Sequence, residues 1–407
     1  MSVVTKSSPV LVCPSSEPAG SGKGNGSHIN LSSVDNCYAS LPVTSLLVFD
    51  QPISDPVETI KRALAQALLH YRPMAGRIAE DRRITCTGEG VSFVGASASC
   101  ALPELVPTST VPIDDLALQY PAPMCRRGDP LLLMQVTEFS GGGFTVAVTW
   151  NHAVADGKGM AQFLQAIGEL ARGMPAPSVL PVRSPEKAGP LPVVPAPTVA
   201  MQRVILRFAT RGKAALDVTV PWSLIRRVKA DCGGCTVFEA VAAVLWRCRT
   251  RAVISDPEAA APLSFPCNLR GPMGTQDGYY GNCFAVQLVH ATAGSVANGD
   301  IRDLVNLIRR AKETVLSNGN GSNGDRKRGT CPRLYNVLAV GSWRNLGFDA
   351  ADFGHGTPSR VVCHMERVAG PCCIACPPCK GKDGVDVMSL CVRPEHVDAF
   401  LAELASM

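Results

Sequence analysis

The chain has 407 residues with 39 Lys+Arg against 34 Asp+Glu, and a formal charge of +5 spread so thinly does not describe a nucleic-acid binder. With 46% hydrophobic and 18% charged residues it can bury a large core, and its length exceeds what one core usually serves, so two domains are expected. No stretch reaches the roughly 20 apolar residues of a membrane helix, and Lys6 and Pro9 interrupt the opening where a secretion signal needs an apolar run, which predicts a soluble, unprocessed chain.

Residues 1–28 are small and polar and read as a loose N-terminal arm. Its Gly-Lys step is no phosphate loop, because Glu17 and Gly24 stand where that motif needs Gly and Ser or Thr. Val43 to Asp50 reads as a strand. Asp55, Pro56 and Glu58 then offer an N-cap, a first-turn proline and a capping-box partner to a helix carrying Ile60, Leu64, Ala67 and Leu68 on one face. The helix ends at Tyr71-Arg72-Pro73, because proline disfavours helical geometry in the residue before it, and strands follow at Arg83 to Cys86 and Val91 to Val94. Leu131 to Phe139 and Phe144 to Trp150 flank a Ser-Gly-Gly-Gly turn. In the second run Phe144, Val146, Val148 and Trp150 alternate with Thr145, Ala147 and Thr149, which predicts a hairpin with one buried face. After Gly157 the apolar residues Met160, Phe163, Leu164, Ile167 and Leu170 recur at helical spacing, so 151–157 is a strand-to-helix turn.

Residues 174–200 are proline-rich and read as an extended crossover between domains. Beyond it, Thr236 and Glu239 form a capping box for a helix through Val241, Val244, Leu245 and Cys248, and another helix spans about Ile301 to Leu316. Residues 317–332, rich in Gly, Asn and Ser and holding Arg326-Lys327-Arg328, read as a mobile surface loop. Strands at Leu334 to Val340 and Val385 to Val392 and a terminal helix after Pro394 complete the chain. Strands and helices mix in both halves, which predicts two mixed α/β domains.

The strongest chemical feature is His152-Ala-Val-Ala-Asp156-Gly157, placed where a buried strand ends and a helix begins. A neutral imidazole there suits general-base work near neutral pH, drawing a proton from a hydroxyl or amine as it attacks a carbonyl. Asp156 can orient the ring or turn away to an arginine, and Gly157 fits a place where a side chain would block backbone or substrate. The plainer alternative is a core histidine satisfied by backbone, with Asp156 capping the helix. A second feature, Asp352-Phe353-Gly354-His355-Gly356, is by itself a turn. The 17 cysteines, odd in number and scattered from Cys13 to Cys391, fit reduced cytosolic thiols. Cys372, Cys373, Cys376 and Cys379 have ligand-like spacing and Cys232 and Cys235 form a second pair, but loops of unliganded thiols are the favoured reading and no metal is expected. There is no Gly-x-Ser-x-Gly elbow and no dinucleotide fingerprint.

With these residues located, the chain resembles the plant BAHD family of acyl-CoA-dependent acyltransferases. The resemblance runs through Leu31-Ser-Ser-Val-Asp35, Tyr71-Arg-Pro-Met-Ala-Gly-Arg77, the His152 and Asp352 motifs, Thr236-Val-Phe-Glu239, Leu245-Trp-Arg-Cys-Arg249, Asn268-Leu-Arg270, Tyr279-Tyr-Gly-Asn282 and Val385-Asp-Val-Met-Ser-Leu390. It implies an α/β fold of two chloramphenicol-acetyltransferase-like domains with mixed sheets, joined by a crossover loop around a central channel. The domains would be 1–175, with the His152 motif, and 201–407, with the Asp352 motif, joined by 176–200.

The resemblance also implies that His152 is the catalytic base in a ternary complex of acyl-CoA and acceptor, with no acyl-enzyme. Asp156, paired with Arg270, and Gly157 would support the site, as would Gly354, His355 and Gly356, while Asp352 is the weaker catalytic candidate. The family usually has Trp where His355 stands, which motivates a catalytically silent binding protein as a competing expectation. The residues Lys6 to Pro9 and Leu46 to Pro52 are similar to a grass branch. That branch implies benzoyl or hydroxycinnamoyl transfer from CoA to an amine, such as tryptamine, or to an alcohol of plant specialised metabolism. A cytoplasmic monomer with no permanent cofactor and no nucleic-acid or membrane partner completes the expectation. The residues that hold CoA are not identified by the sequence.

Overall fold

The computed structural model describes residues 4–15, 27–79, 83–102, 113–196, 198–200, 202, 212–318, 334–364, 370–379 and 381–407. Two compact units emerge. One comprises Met1–Val204, Gly274–Cys283 and Leu346–Met365, the other Ile205–Met273, Phe284–Asn345 and Glu366–Met407.

The first unit holds β1 (Val4–Lys6), β2 (Val10–Val12), β3 (His28–Asn30), α1 (Ser33–Tyr38), β4 (Pro42–Phe49), α2 (Pro56–His70), β5 (Arg77–Ile78), β6 (Arg83–Thr85), β7 (Val91–Ala98), β8 (Leu132–Phe139), β9 (Phe144–Asn151) and α3 (Gly157–Ala171). The second contains β10 (Leu216–Pro221), α4 (Trp222–Asp231), α5 (Val237–Val253), β11 (Leu263–Asn268), β12 (Phe284–Val289), α6 (Ile301–Asn318) and β13 (Leu338–Ser342). The chain returns to the first unit as β14 (Arg360–His364), then adds β15 (Cys372–Ala375), β16 (Gly384–Leu390) and α7 (Val397–Ser406) to the second.

In the first unit the sheet order is β1-β7-β8-β9-β4-β14, with β2 also beside β7. The β7–β8 pair is parallel and the others on this path are antiparallel. The second unit carries β10-β16-β15-β13-β11-β12, with β15–β13 and β13–β11 parallel. Both sheets are therefore mixed, as the alternation of helical and strand periods predicts.

Four expectations change. Part of the N-terminal arm is ordered, because Val4–Lys6 and Val10–Val12 add antiparallel strands to β7. Strand β9 is buried on both faces along all eight residues. It lies between β8 and β4, where Thr149 Oγ1 donates to Leu118 O at 2.7 Å and lies 2.8 Å from Thr44 Oγ1. Sequence alternation here separates large apolar from small residues rather than core from solvent.

Third, the Asp352 motif belongs to the first unit and not to a C-terminal domain, because β14, directly after it, pairs with β4 from Arg360↔Val48 to His364↔Thr44. A single boundary near residue 200 misses this return, since strand pairing at such sequence separation leaves no local signal. Fourth, Glu58 directs its carboxylate to Lys61 Nζ at 3.1 Å instead of completing a capping box, and Asp55 alone caps α2. The loop expected at 317–332 lies outside the described residues from 319 onward.

Candidate active site

Strand β9 delivers the turn that carries His152. Asn151 ends the strand with its Oδ1 accepting from Ser40 N and Ala153 N, while His152 N donates to Leu41 O at 2.8 Å and Trp150 Nε1 to Ala155 O at 3.0 Å. Helix α3 then starts at Gly157 with Asp156 as its N-cap. One carboxylate oxygen of Asp156 accepts from Gly159 N at 2.9 Å and the other from Cys283 N at 3.1 Å. Asp156 thus ties the first turn of α3 to the segment 279–283, the helix-capping role left open by the sequence.

The start of α3 lies hard against that segment. A Cβ on Gly159 would stand 1.8 Å from Tyr280 O, whereas one on Gly157 would meet the tip of Leu346 at 2.6 Å. Gly157 does keep a side chain out, but Gly159, which sequence reasoning passed over, guards the tighter contact.

The His152 imidazole is half-buried and stacks on Tyr38, with ring centroids 5.0 Å apart and planes inclined by 30°. Burial holds its pKa below the ordinary 6.5, while hydrogen bonding to its own backbone, the Asp156 charge, Asn282 and the Asp35 charge oppose that shift. The ring is therefore neutral at pH 7, the state a general base requires.

Three further residues surround the turn. Asn282 Nδ2 donates to His152 O at 2.8 Å and to Asp35 Oδ1 at 2.7 Å. Arg183 sends Nε to Val154 O and Nη2 to Ala153 O, each at 2.9 Å, and its Nη2 pairs with Asp35 Oδ2 at 3.1 Å. Asp35 and Asn282 lie in motifs that carried the resemblance, yet nothing in the sequence tied them to the base. Arg183 sits in a proline-rich stretch and gave no signal. It is brought in by a parallel bridge between Val182 and Tyr279.

The structure does not bring Asp352 to His152. Its backbone packs on Gly168, where an added Cβ would meet Asp352 O at 2.3 Å, roughly 16 Å along α3 from Gly157. Asp352 Oδ1 accepts from Gly354 N at 2.8 Å and Gly356 N at 3.0 Å, and Oδ2 lies 3.5 Å from Arg172 Nη1. Both glycines have positive φ, 146° and 108°, so this motif is a carboxylate-held turn. His355 is exposed on it, while Phe353 packs edge-on against Phe49.

Arg270 lies in the second unit, where Nη1 donates to Asn268 Oδ1 at 3.4 Å. Cys372 and Cys373 are successive residues of β15 and point to opposite faces of its sheet. Among the described residues no three His, Cys, Asp or Glu gather as a metal-ligand set.

Comparison with known proteins gives this geometry its context. The model of the Transferase family matches residues 2–215 and 225–407. Acyl transferase 15 of Oryza sativa subsp. japonica is 45% identical over 432 residues, covering 100% of this chain and 98% of its own. Benzyl alcohol O-benzoyltransferase of Petunia hybrida is 32% identical across 87% of this chain and 82% of its own. Among solved structures, vinorine synthase has a TM-score of 0.78 at 20% identity, covering 99% of this chain and 98% of that one. F. graminearum TRI101, complexed with coenzyme A and deoxynivalenol, has a TM-score of 0.68 at 16% identity, covering 92% and 97%. These two structural likenesses agree with the two-unit α/β architecture, and the matches in sequence carry the assignment: the chain belongs to the Transferase family and is a plant BAHD acyl-CoA-dependent acyltransferase.

Proposed function

We propose that the enzyme moves an aromatic acyl group, benzoyl or hydroxycinnamoyl, from CoA to an amine or alcohol, with His152 as general base in a ternary complex. The observation that carries this reading is a half-buried imidazole, held neutral, at a turn fixed by main-chain hydrogen bonds. The acceptor oxygen or nitrogen attacks the thioester carbon as its proton passes to His152. The tetrahedral intermediate then expels CoA thiolate, which regains a proton from the imidazolium. The thioester is already activated, so orientation and proton removal supply most of what the protein must add. The caffeoyl and benzoyl groups in the names of related transferases support an aromatic acyl donor.

An alcohol and an amine make different demands on pH. An alkyl ammonium with a pKa near that of lysine, ~10.4, must lose one proton before it can attack, so amide formation rises toward alkaline pH. Ester formation levels off once His152 is neutral. Asp156 and Gly157 serve as supports. Asp352, Gly354, His355 and Gly356 hold their turn. A reducing cytosol fits the absence of disulfides among the described residues.

The test is CoA release and product mass with benzoyl-CoA and p-coumaroyl-CoA, each offered tryptamine and benzyl alcohol. Amide or ester forming in wild type and not in His152→Ala supports the proposal. Equal release by both proteins removes the base, and transfer confined to aliphatic acyl-CoAs removes the aromatic donor.

A further inference from the structure

We propose that Asp35, Arg183 and Asn282 are positioning residues for His152, a buried ion pair bridged by an amide that fixes the main chain of the base and shapes the electric field at its ring. The proposal rests on the reading of His152 as the base.

The argument begins with three successive carbonyls. Those of His152, Ala153 and Val154 lie in a turn, where no ladder satisfies them, and each receives one side-chain donor: Asn282 Nδ2, Arg183 Nη2 and Arg183 Nε. Donors from two distant segments therefore fix the path of the chain through the base. Asp35 accepts from both, through Oδ1 for Asn282 and Oδ2 for Arg183.

Asp35 also anchors its own helix. Its carboxylate accepts from Ser32 N at 2.8 Å while its N donates to Ser32 Oγ at 3.1 Å, closing a capping box at α1. Three residues later the same helix places Tyr38 on the face of the His152 ring. The unit thus holds the base from its carbonyl side and from its ring face.

Asp35 is fully buried and the Arg183 side chain is 2% exposed. Burying such a pair carries a desolvation penalty that an apolar pair of similar volume would avoid, so stability alone does not account for it. Its charges also act on the ring with little screening. Within the first unit the groups around His152 are Asp156 on its own turn, Asp35 and Tyr38 on α1, Arg183 beside Val182, and Asn282, with Tyr279 and Tyr280 near Arg183. Asp35 favours the imidazolium, and Arg183, the counter-charge paired with it, works against that, so removing one member exposes the other.

The experiment measures the His152 protonation midpoint by NMR of labelled histidine in the full-length protein. His152→Ala identifies the resonance among the seven histidines. Transfer kinetics with benzoyl-CoA and benzyl alcohol are followed in parallel. Asp35→Asn lowers the midpoint and Arg183→Met raises it, each by roughly half a pH unit or more. The double variant returns the midpoint toward wild type while kcat stays at least about tenfold down, because the carbonyl donors are still missing. Arg183→Lys keeps the wild-type midpoint with reduced kcat, and it serves as the folded control should Arg183→Met not fold. Midpoints unchanged in the soluble variants, or shifts of one sign, overturn the proposal. Equal transfer by wild type and His152→Ala would instead overturn the base reading, whatever the midpoints do.

Discussion

At the scale of single residues, His152 and Gly159 make opposite kinds of demand. Removing the imidazole leaves the turn's backbone partners in place, so His152→Ala is expected to keep its fold and lose about 10²- to 10⁴-fold in kcat. Steady-state CoA release beside a far-UV spectrum checks both halves. In wild type, transfer to an alcohol holds its rate below pH 6.5 and falls only as His152 is protonated, because burial depresses its pKa. A pH–rate profile with its acid midpoint at or above 6.5 contradicts this. Gly159 is different, since its missing side chain admits the Tyr280 carbonyl, which is backbone and cannot swing away. Gly159→Ala should cost about 3 kcal/mol, whereas Gly157→Ala, facing the movable tip of Leu346, should cost less than about 1 kcal/mol. Parallel denaturant titrations give the comparison.

At the scale of elements, helix ends decide more than helix interiors. Asp156 caps α3 and accepts from Cys283 N, while Thr236 and Glu239 cap α5 through a reciprocal box, Glu239 N donating to Thr236 Oγ1 at 3.2 Å and Thr236 N to Glu239 Oε2 at 2.9 Å. Thr236→Ala should lose about 1 kcal/mol and leave the transfer rate unchanged. Asp156→Ala should lose more, about 2 kcal/mol, because a buried amide beyond the helix is also left unpaired, and it should lower kcat by loosening the turn. Thermal melts paired with activity distinguish the two. The caps were legible in the sequence because a cap is a local pattern. The second bond of Asp156 was not, because Cys283 is 127 residues away.

At the scale of the whole molecule, stability responds to pH through groups in both units. In the second, Asp386 is pushed up to about 6, first by burial and then by its hydrogen-bonded neighbour Asp217, with Lys382 opposing. Lys382 Nζ lies 2.9 Å from Asp217 Oδ1 and 2.5 Å from Asp386 Oδ1. The folded state holds this proton more tightly than the unfolded chain does. Its stabilising contribution is full below the ordinary carboxylate range and is lost as pH rises through about 6. His152 runs the other way: its pKa is depressed on folding, so its contribution is present above 6.5 and lost as pH falls through the folded value. Asp386→Asn should therefore flatten the decline of the melting temperature between pH 5 and 7. Scanning calorimetry across that range, with an unchanged slope in the variant, would refute the assignment.

The sequence by itself determined the mixed α/β character, the main helices and their caps, the turn that presents His152, and the family. All of these are written in hydrophobic period, capping chemistry and short contiguous motifs, which act over a few residues. Only the tertiary structure decided that β14 returns to the first sheet, that Asp352 holds a turn far along α3 from the base, and that Asp35, Arg183 and Asn282 meet around His152. Strand register and buried hydrogen bonds between distant segments leave no periodic trace, since what fixes them is the satisfaction of polar groups that become neighbours only when the core closes.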